Sequence, residues 1–299
     1  SFSYSASMFL IRLSENTLTK IFNQISSIWL GTIVWVFIVI IISLILKRIL
    51  NNTYSSNISL ILILISFGIS LFGIYNSQRV NLVEKDVYIE NLPENFDNLS
   101  VMFIADTHYG NIHTEKKSSR DVEFIKKVSP DALFIAGDFF DGPSKKMDYF
   151  SKPYEEMNPI FGKYFGSGNH ETYADLEKSI ESVKKVNFEI LDNQIKEIKG
   201  IQFVGIPYST SSVSELDKNI TEGIIKKSDE TKPVIVIKHV PINTESISNL
   251  NADFAFFGHT HRGQMWPFSI IVKKIYGKHY YGFTEEKNTL FYTTSGVGG

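Results

Sequence analysis

The sequence predicts an α/β domain preceded by a transmembrane helical hairpin. Three observations carry that reading. Residues 21–46 contain no charged side chain, and a second uncharged run covers 49–78. From Arg79 onward, short apolar runs alternate with polar stretches of helical character. Four of those apolar runs end directly at Asp or His, and the carboxyl ends of strands are where α/β folds carry their chemistry.

The membrane region is expected over residues 1–78. Its spans cover about 26–46 and 58–75, and Lys47-Arg48 stands between them. Each core is long enough to cross a bilayer as a helix. A pair of buried soluble helices would seldom lack charge on every face for so long. A cleaved signal peptide fits worse, because the first run is too long, starts away from the terminus and lacks a small-residue cleavage pattern. Residues 1–20 mix Ser1, Ser3, Ser5 and Ser7 with Phe2, Met8, Phe9, Leu10 and Ile11. They read either as the tail of another membrane segment or as an interfacial helix.

A turn near residues 51–57 puts both ends of the hairpin on one side of the membrane. The C-terminal domain then shares a face with residues 1–20. Positive charge is nearly balanced between the turn (Lys47, Arg48) and the ends (Arg12, Lys20, Arg79, Lys85), so the identity of that face is open. The chain starts at Ser1 without Met and stops within Ser295-Gly296-Val297-Gly298-Gly299, and we expect it to be part of a longer protein.

Residues 79–98 read as a linker leading into the soluble domain, which is expected over 99–299. Its strands are predicted at Ser100–Ala105, Ala132–Ala136, Ile160–Gly166, Ile201–Ile206, Val234–Lys238, Asp253–Phe257 and Thr289–Thr294. Helices are predicted at Ser118–Val128, Tyr173–Val186, Val213–Lys227 and Thr244–Leu250. Ser118-Ser119-Arg120-Asp121 has the form of a helix start, with Asp121 in the first turn. The strands are apolar almost throughout, which suggests sheets buried on both faces, between helical layers or between two sheets.

Composition narrows the function classes. Net charge is −2, so no basic excess favours nucleic acid, and none is expected as a partner. Cysteine is absent, which excludes disulfides, thiolate catalysis and cysteine-bound zinc.

Five of the seven histidines fall within five short motifs. These are Asp106-Thr107-His108, Gly137-Asp138-Phe139-Phe140-Asp141, Gly168-Asn169-His170-Glu171, Lys238-His239-Val240-Pro241 and Gly258-His259-Thr260-His261. His113 and His279 lie outside them. Cleaving a phosphate ester needs a nucleophile near neutral pH and charge stabilisation on the phosphoryl oxygens. Two divalent cations about 3.5–4 Å apart supply both. Imidazole with carboxylate suits Mn, Fe or Zn, with Mn first among them, better than Ca, and Mg would want more oxygen ligands. Asp-x-His and His-x-His spacings point both side chains the same way off an extended chain. Glycine before Asp138, Asn169 and His259 allows tight strand-to-loop turns. Asp138 can bridge two cations. Each motif alone is weak; all five, in this order and at strand ends, are not.

On these motifs, residues 99–299 resemble the calcineurin-like metallophosphoesterase superfamily. The resemblance implies a four-layer α-β-β-α sandwich. Gly258-His259-Thr260-His261 with Gly263-Gln264, and the closing Ser295-Gly296-Val297-Gly298, are similar to its membrane-tethered branch; a more distant likeness is to enzymes that hydrolyse UDP-diacylglucosamine. The resemblance implies that Asp106, His108 and His261 hold a first metal and that Asn169, His239 and His259 hold a second, with Asp138 between them. It implies that His170 stands over the substrate as general acid or transition-state donor, helped by Asn169. Asp141 would orient a ligand histidine from outside the coordination sphere. Arg262 departs from the branch, which commonly has Gly there, and reads either as a surface residue or as a cation facing the substrate phosphate.

The expected activity is hydrolysis of a phosphodiester or pyrophosphate by metal-activated hydroxide, with membrane lipids as partners. The aromatic segment Met265-Trp266-Pro267-Phe268, Tyr276, His279, Tyr280, Tyr281 and Phe283 reads as core packing or as a wall for a lipid or base. Its second reading points to a lipid-linked substrate. A protein or small-molecule phosphomonoesterase is the runner-up. A non-catalytic scaffold and a transporter accessory rank below it.

Overall fold

Runs without charge make long helices here. In the computed structural model, α1 (Phe2–Leu13), α2 (Thr17–Leu50) and α3 (Ser56–Asn76) form one compact unit, residues 1–82. Residues 83–299 form another. The structure describes residues 2–50, 56–89, 92, 99–141, 146–209 and 214–298, so most of the expected hairpin turn and part of the 79–98 linker lie outside the described residues.

Asn16 starts α2: its side-chain oxygen accepts from the Leu18 and Thr19 amides at 3.0 and 3.1 Å. Within the apolar helices, Ser27, Thr32 and Ser70 turn their hydroxyls back onto carbonyls four residues earlier. That satisfies the few polar groups within helices that are otherwise apolar. At 34 residues, α2 is roughly 50 Å long, against roughly 30 Å of hydrocarbon. It outruns the 26–46 apolar core at both ends. Residues 2–13 are helical, and Asn23 of α2 donates to Ser7 of α1 at 3.2 Å.

The second unit holds two sheets. β1 (Val101–Ile104), β2 (Ala132–Ala136), β3 (Lys163–Gly166) and β4 (Phe188–Ile190) pair in that order, all parallel. β5 (Gln194–Ile198), β6 (Ile201–Ile206), β7 (Val234–Lys238), β8 (Phe254–Phe257), β9 (Gly282–Glu286) and β10 (Thr289–Thr293) form the other. Its spatial order is β5-β6-β7-β8-β10-β9, with antiparallel pairs only at the two edges. The helices are α4 (Glu115–Val128), α5 (Met147–Ser151), α6 (Asn169–Ala174), α7 (Leu176–Lys185), α8 (Ser214–Ile225), α9 (Thr244–Asn249) and α10 (Phe268–Tyr276).

Alternation along the strands sorts the core into layers. Leu133 and Ile135 of β2 face outward to Val122 and Ile125 of α4 and Val183 of α7. Ala132, Phe134 and Ala136 face inward, to Phe203, Ile235, Ile237 and Phe256 of the second sheet. The second sheet's outer face, Val204, Val236, Ala255 and Phe257, packs on Ile224 of α8 and Ile247 of α9. The order is therefore α-β-β-α. Stacked rings bridge the sheets, with Phe134 4.4 Å from Phe203 and Phe103 5.0 Å from Phe256.

Several elements differ from expectation. α4 starts at Glu115, a turn before Ser118. Ser118 instead donates to the Phe150 carbonyl at 2.8 Å, and Asp121 is buried between Lys117 (2.9 Å) and the Tyr109 hydroxyl (2.7 Å). Tertiary partners claim the residues that resemble a cap. The single helix predicted over Tyr173–Val186 breaks at Asp175, whose carboxylate accepts from the Lys178 amide and caps α7. α5, α10 and strands β4, β5 and β9 have no counterpart among the predicted elements.

Candidate metal centre

Each candidate ligand leaves the end of a strand. Asp106 and His108 follow β1, Asp138 follows β2, Asn169 opens α6 after β3, His239 follows β7, and His259 and His261 follow β8. The two sheets thus deliver ligands to one edge. The backbone does this differently from the extended chain expected of Asp-x-His. Asp106, His108, Asp138, His259 and His261 all have left-handed φ, between 47° and 71°. Non-glycine residues rarely accept that conformation, and they cluster where the surrounding structure enforces it. The turns, rather than strand alternation, bring both side chains of each pair inward.

The glycines act mainly through space. Gly137 does have positive φ, 82°. Gly168 and Gly258 do not; a Cβ on either would collide with Asp138 or Asp106. Gly296 of the closing loop presses on Asp106, and the loop is held there by Val297 and Gly298 amides donating to the Ala105 and Asp106 carbonyls at 3.1 and 2.7 Å.

The side chains form three overlapping triads: Asp106–His108–His261, His108–Asp138–His170 and Asp138–His239–His259. Within each, the ligand atoms lie within 4.8 Å of one another. His108 Nε2 and His261 Nε2 face each other at 3.0 Å, and His261 Nε2 is 3.5 Å from Asp106 Oδ1. Asn169 Oδ1 lies 3.1 Å from His239 Nε2 and 2.9 Å from His259 Nδ1. Asp138 Oδ2 stands between the groups, 3.1 Å from His239 Nε2 and 3.9 Å from His108 Nε2.

This donor set fits cations. His239 Nδ1 faces the Ala136 carbonyl at 2.8 Å, so in the neutral ring that nitrogen carries the proton and Nε2 offers its lone pair. The lone pair meets two oxygens, from Asn169 and Asp138. Electron-rich atoms so placed repel unless positive charge lies among them. Burial opposes charge on His239, yet the Asp138 carboxylate raises it to about 10. Burial, reinforced by His261, depresses His108 to about 2, and burial with His239 depresses His259 to about 3. Those rings are held neutral, as ligands must be.

Around the ligands, Glu171 is fully buried and accepts from four backbone amides: Asp138 at 2.9 Å, Phe139 at 2.8 Å, Phe140 at 3.0 Å and Gly168 at 2.8 Å. It pins the Asp138 loop to the start of α6. Sequence reasoning gives it no role, although Gly168-x-x-Glu171 has the spacing of a capping box. Asp106 accepts from the His259 amide, with both oxygens at 3.0 Å. That contact locks the ligand loops of the two sheets together.

His170 borders the cluster with its ring edge-on to His108 at 4.4 Å, and its amide donates to Asp138 Oδ1 at 2.8 Å. Asp141 Oδ1 is 3.5 Å from His170 Nδ1. The expectation for Asp141 is that it orients a metal-binding histidine; the ring it faces is His170. Burial works against charge on His170, but Asp141 and Asp138 raise its pKa above the ordinary value.

Of the aromatic segment, Tyr276 reaches the centre, its ring 5.9 Å from that of His259. With Tyr208, His239 and His259 it lines a cavity of 220 Å³. His279 packs on Phe291 and pairs with Glu286, away from the ligands. Arg262 holds its guanidinium 4.7 Å from the Tyr281 ring centre.

Comparison with known proteins agrees with this arrangement. The profile of the calcineurin-like phosphoesterase family matches residues 99–263. An uncharacterized metallophosphoesterase of Helicobacter pylori is 27% identical over 74% of this chain and 59% of its own length. A transmembrane protein with metallophosphoesterase domain from Danio rerio is 24% identical over 79% of this chain and 57% of its own. Phosphodiesterase YaeI of Escherichia coli is 27% identical over 66% of this chain and 74% of its own. The chain therefore spans less than two thirds of the first two relatives. With a profile covering more than half its length and a four-layer sandwich bearing the ligand cluster on one edge, the chain belongs to the calcineurin-like phosphoesterase family.

Proposed function

We propose that this protein is a membrane-anchored, dinuclear metal-dependent phosphohydrolase acting on a phosphodiester or pyrophosphate, with lipid-linked compounds as the substrate class. The observation that carries the reading is the convergence of seven donor residues from two sheets with their nitrogen and oxygen atoms facing one another.

Asp106, His108 and His261 would hold one cation, and Asn169, His239 and His259 the other. Asp138 lies between the two groups and would bridge. Mn, Fe or Zn suits such a set, with Mn first. Bound there, the cations supply Lewis acidity that lowers the pKa of water and neutralises phosphoryl oxygens. The residues of the chain do the rest. Glu171 and the His259 amide hold Asp138 and Asp106 in place. His170 is half-exposed at the rim and carries its proton to higher pH than an ordinary imidazole, because Asp141 and Asp138 face it. It would donate that proton to the leaving oxygen.

Preference for a diester over a monoester is supported by the cavity beside His239 and His259, whose Tyr208 and Tyr276 would take one substituent on phosphorus, and by the phosphodiesterase name of one relative. α2 and α3 are long and apolar enough to cross a membrane, and the zebrafish relative is named as a transmembrane protein. In our reading the catalytic domain shares a membrane face with residues 1–20.

The test is hydrolysis of a chromogenic phosphodiester and its monoester by purified protein supplied with Mn. Diester cleavage lost in His108→Ala and His170→Ala supports the proposal. Two bound metals with no turnover of either ester or of lipid pyrophosphates would sink it.

A further inference from the structure

Seven residues after His261, the chain enters α10, a nine-residue helix with no buried side chain. Its exposed residues are four apolar ones, Phe268, Ile270, Ile271 and Ile275, and two lysines, Lys273 and Lys274. Ile270 is 60% exposed, Ile271 53% and Ile275 66%, and Trp266 just before the helix is 57% exposed. Single exposed hydrophobic residues need no explanation, but a contiguous group on one short helix does. Ile271 and Ile275 stand one turn apart, and Ile270 and Lys274 do the same beside them. Charge is one-sided here. From His261 to Gly277 there are three basic residues, Arg262, Lys273 and Lys274, and no acidic ones, in a chain of net −2; Lys278 beyond them pairs with Glu286 at 3.3 Å.

We infer that α10, together with Trp266, is a membrane-docking element that lies in the headgroup region of an anionic bilayer. The isoleucines enter the acyl boundary, the lysine stems lie along it, and their ammonium groups meet lipid phosphates. Tryptophan favours that boundary. The inference rests on the membrane reading of α2 and α3, which bring the domain to a bilayer, and not on the catalytic reading. Its consequence is positional. Tyr276, at the far end of α10, flanks His259, so docking sets the metal centre at the level of the lipid phosphates.

The chain has no cysteine, so single labels can be introduced without background. The full chain is reconstituted in vesicles of phosphatidylcholine and phosphatidylglycerol with a nitroxide on Ile271→Cys, Ile275→Cys or Glu230→Cys. Glu230 is exposed and precedes β7, at the opposite end of the strand from His239. The expected result is an accessibility ratio, oxygen over aqueous nickel reagent, several-fold higher at 271 and 275 than at 230. Adding Lys273→Gln and Lys274→Gln should lower it. Equal ratios at all three positions overturn the inference, because α10 then faces water. Labels at 271 and 275 shielded from both reagents, in vesicles and in detergent alike, also overturn it, because protein then covers the face. Turnover of a soluble chromogenic diester by the chains labelled at 271 and 230 reports the catalytic reading separately and checks folding; the chain labelled at 275 is left out of that control because Ile275 lines the cavity beside His259.

Discussion

His239 and His108 belong to two halves of one centre, yet they are held in different ways. The His239 side chain is fully buried, its far nitrogen is tied to the Ala136 carbonyl, and its neighbour Asp138 sits in a loop bound by Glu171. His108 and His261 are 12% and 13% exposed, and His261 Nδ1 has no hydrogen-bond partner among the described residues. The first half is fixed by the core. In the second, His108 and His261 lie at the rim next to half-exposed His170, on a buried Asp106. His170 stands at the open half and the cavity of Tyr208 and Tyr276 beside the inner one, so the inner half should weigh more on metal affinity and the outer half more on turnover.

Asp138 belongs to both halves, and its loss should have the largest effect. Asp138→Ala should bring turnover to background and lower bound metal from two equivalents, measured by elemental analysis of the purified protein. Full metal content in this variant would break the division, because it would mean that each half holds its cation independently.

His170→Ala tests the outer half alone. Removing a general acid should cost about 10²- to 10⁴-fold in kcat, while metal content stays unchanged. A parallel loss of metal would place His170 among the ligands instead.

Glu171→Gln probes the inner half through its support. The amide keeps one acceptor oxygen but brings N–H groups toward two of the four backbone donors. Loss of a buried acceptor costs about 1–3 kcal/mol, to be read from thermal or denaturant unfolding. Metal affinity should fall about 10- to 100-fold, as for other partners of ligands, to be read by chelator competition. Unchanged affinity with reduced stability would make Glu171 a folding residue only.

The same division explains what is legible in the sequence. Metal ligation admits few residue types, so the five motifs stand out together, and the resemblance they carry singles out Asp106, His108, Asp138, Asn169, His239, His259 and His261 as the candidate ligands. Strands β1, β2, β6, β7 and β8 are legible because packing on both faces makes them apolar almost throughout. What stays hidden depends on tertiary partners. Ser118 resembles a helix cap until the Phe150 carbonyl claims its hydroxyl. β5 and β9 are edge strands of mixed polarity, without a clean alternation. α10 breaks the rule by which helices are found, since its apolar side chains point outward. The left-handed turns at five ligands carry no local signal, because the sheets and their loop contacts impose them on ordinary Asp and His.

Arg262 gives the smallest and most discriminating effect. It sits on the outer loop at φ 54°, a conformation that costs a side-chain-bearing residue about 1–2 kcal/mol and glycine nothing. Its guanidinium over Tyr281 returns about 0.5–1 kcal/mol at an exposed site. Arg262→Gly should therefore leave stability within about 1 kcal/mol of the parent, or slightly higher. A residue kept there against its own backbone preference needs another use, and a cation beside His261 suits an anionic substrate. KM for the diester should rise several-fold, with kcat and metal content nearly constant. Unchanged KM would reduce Arg262 to a lid on Tyr281 and leave specificity to His170 and to the aromatic cavity beside His239 and His259.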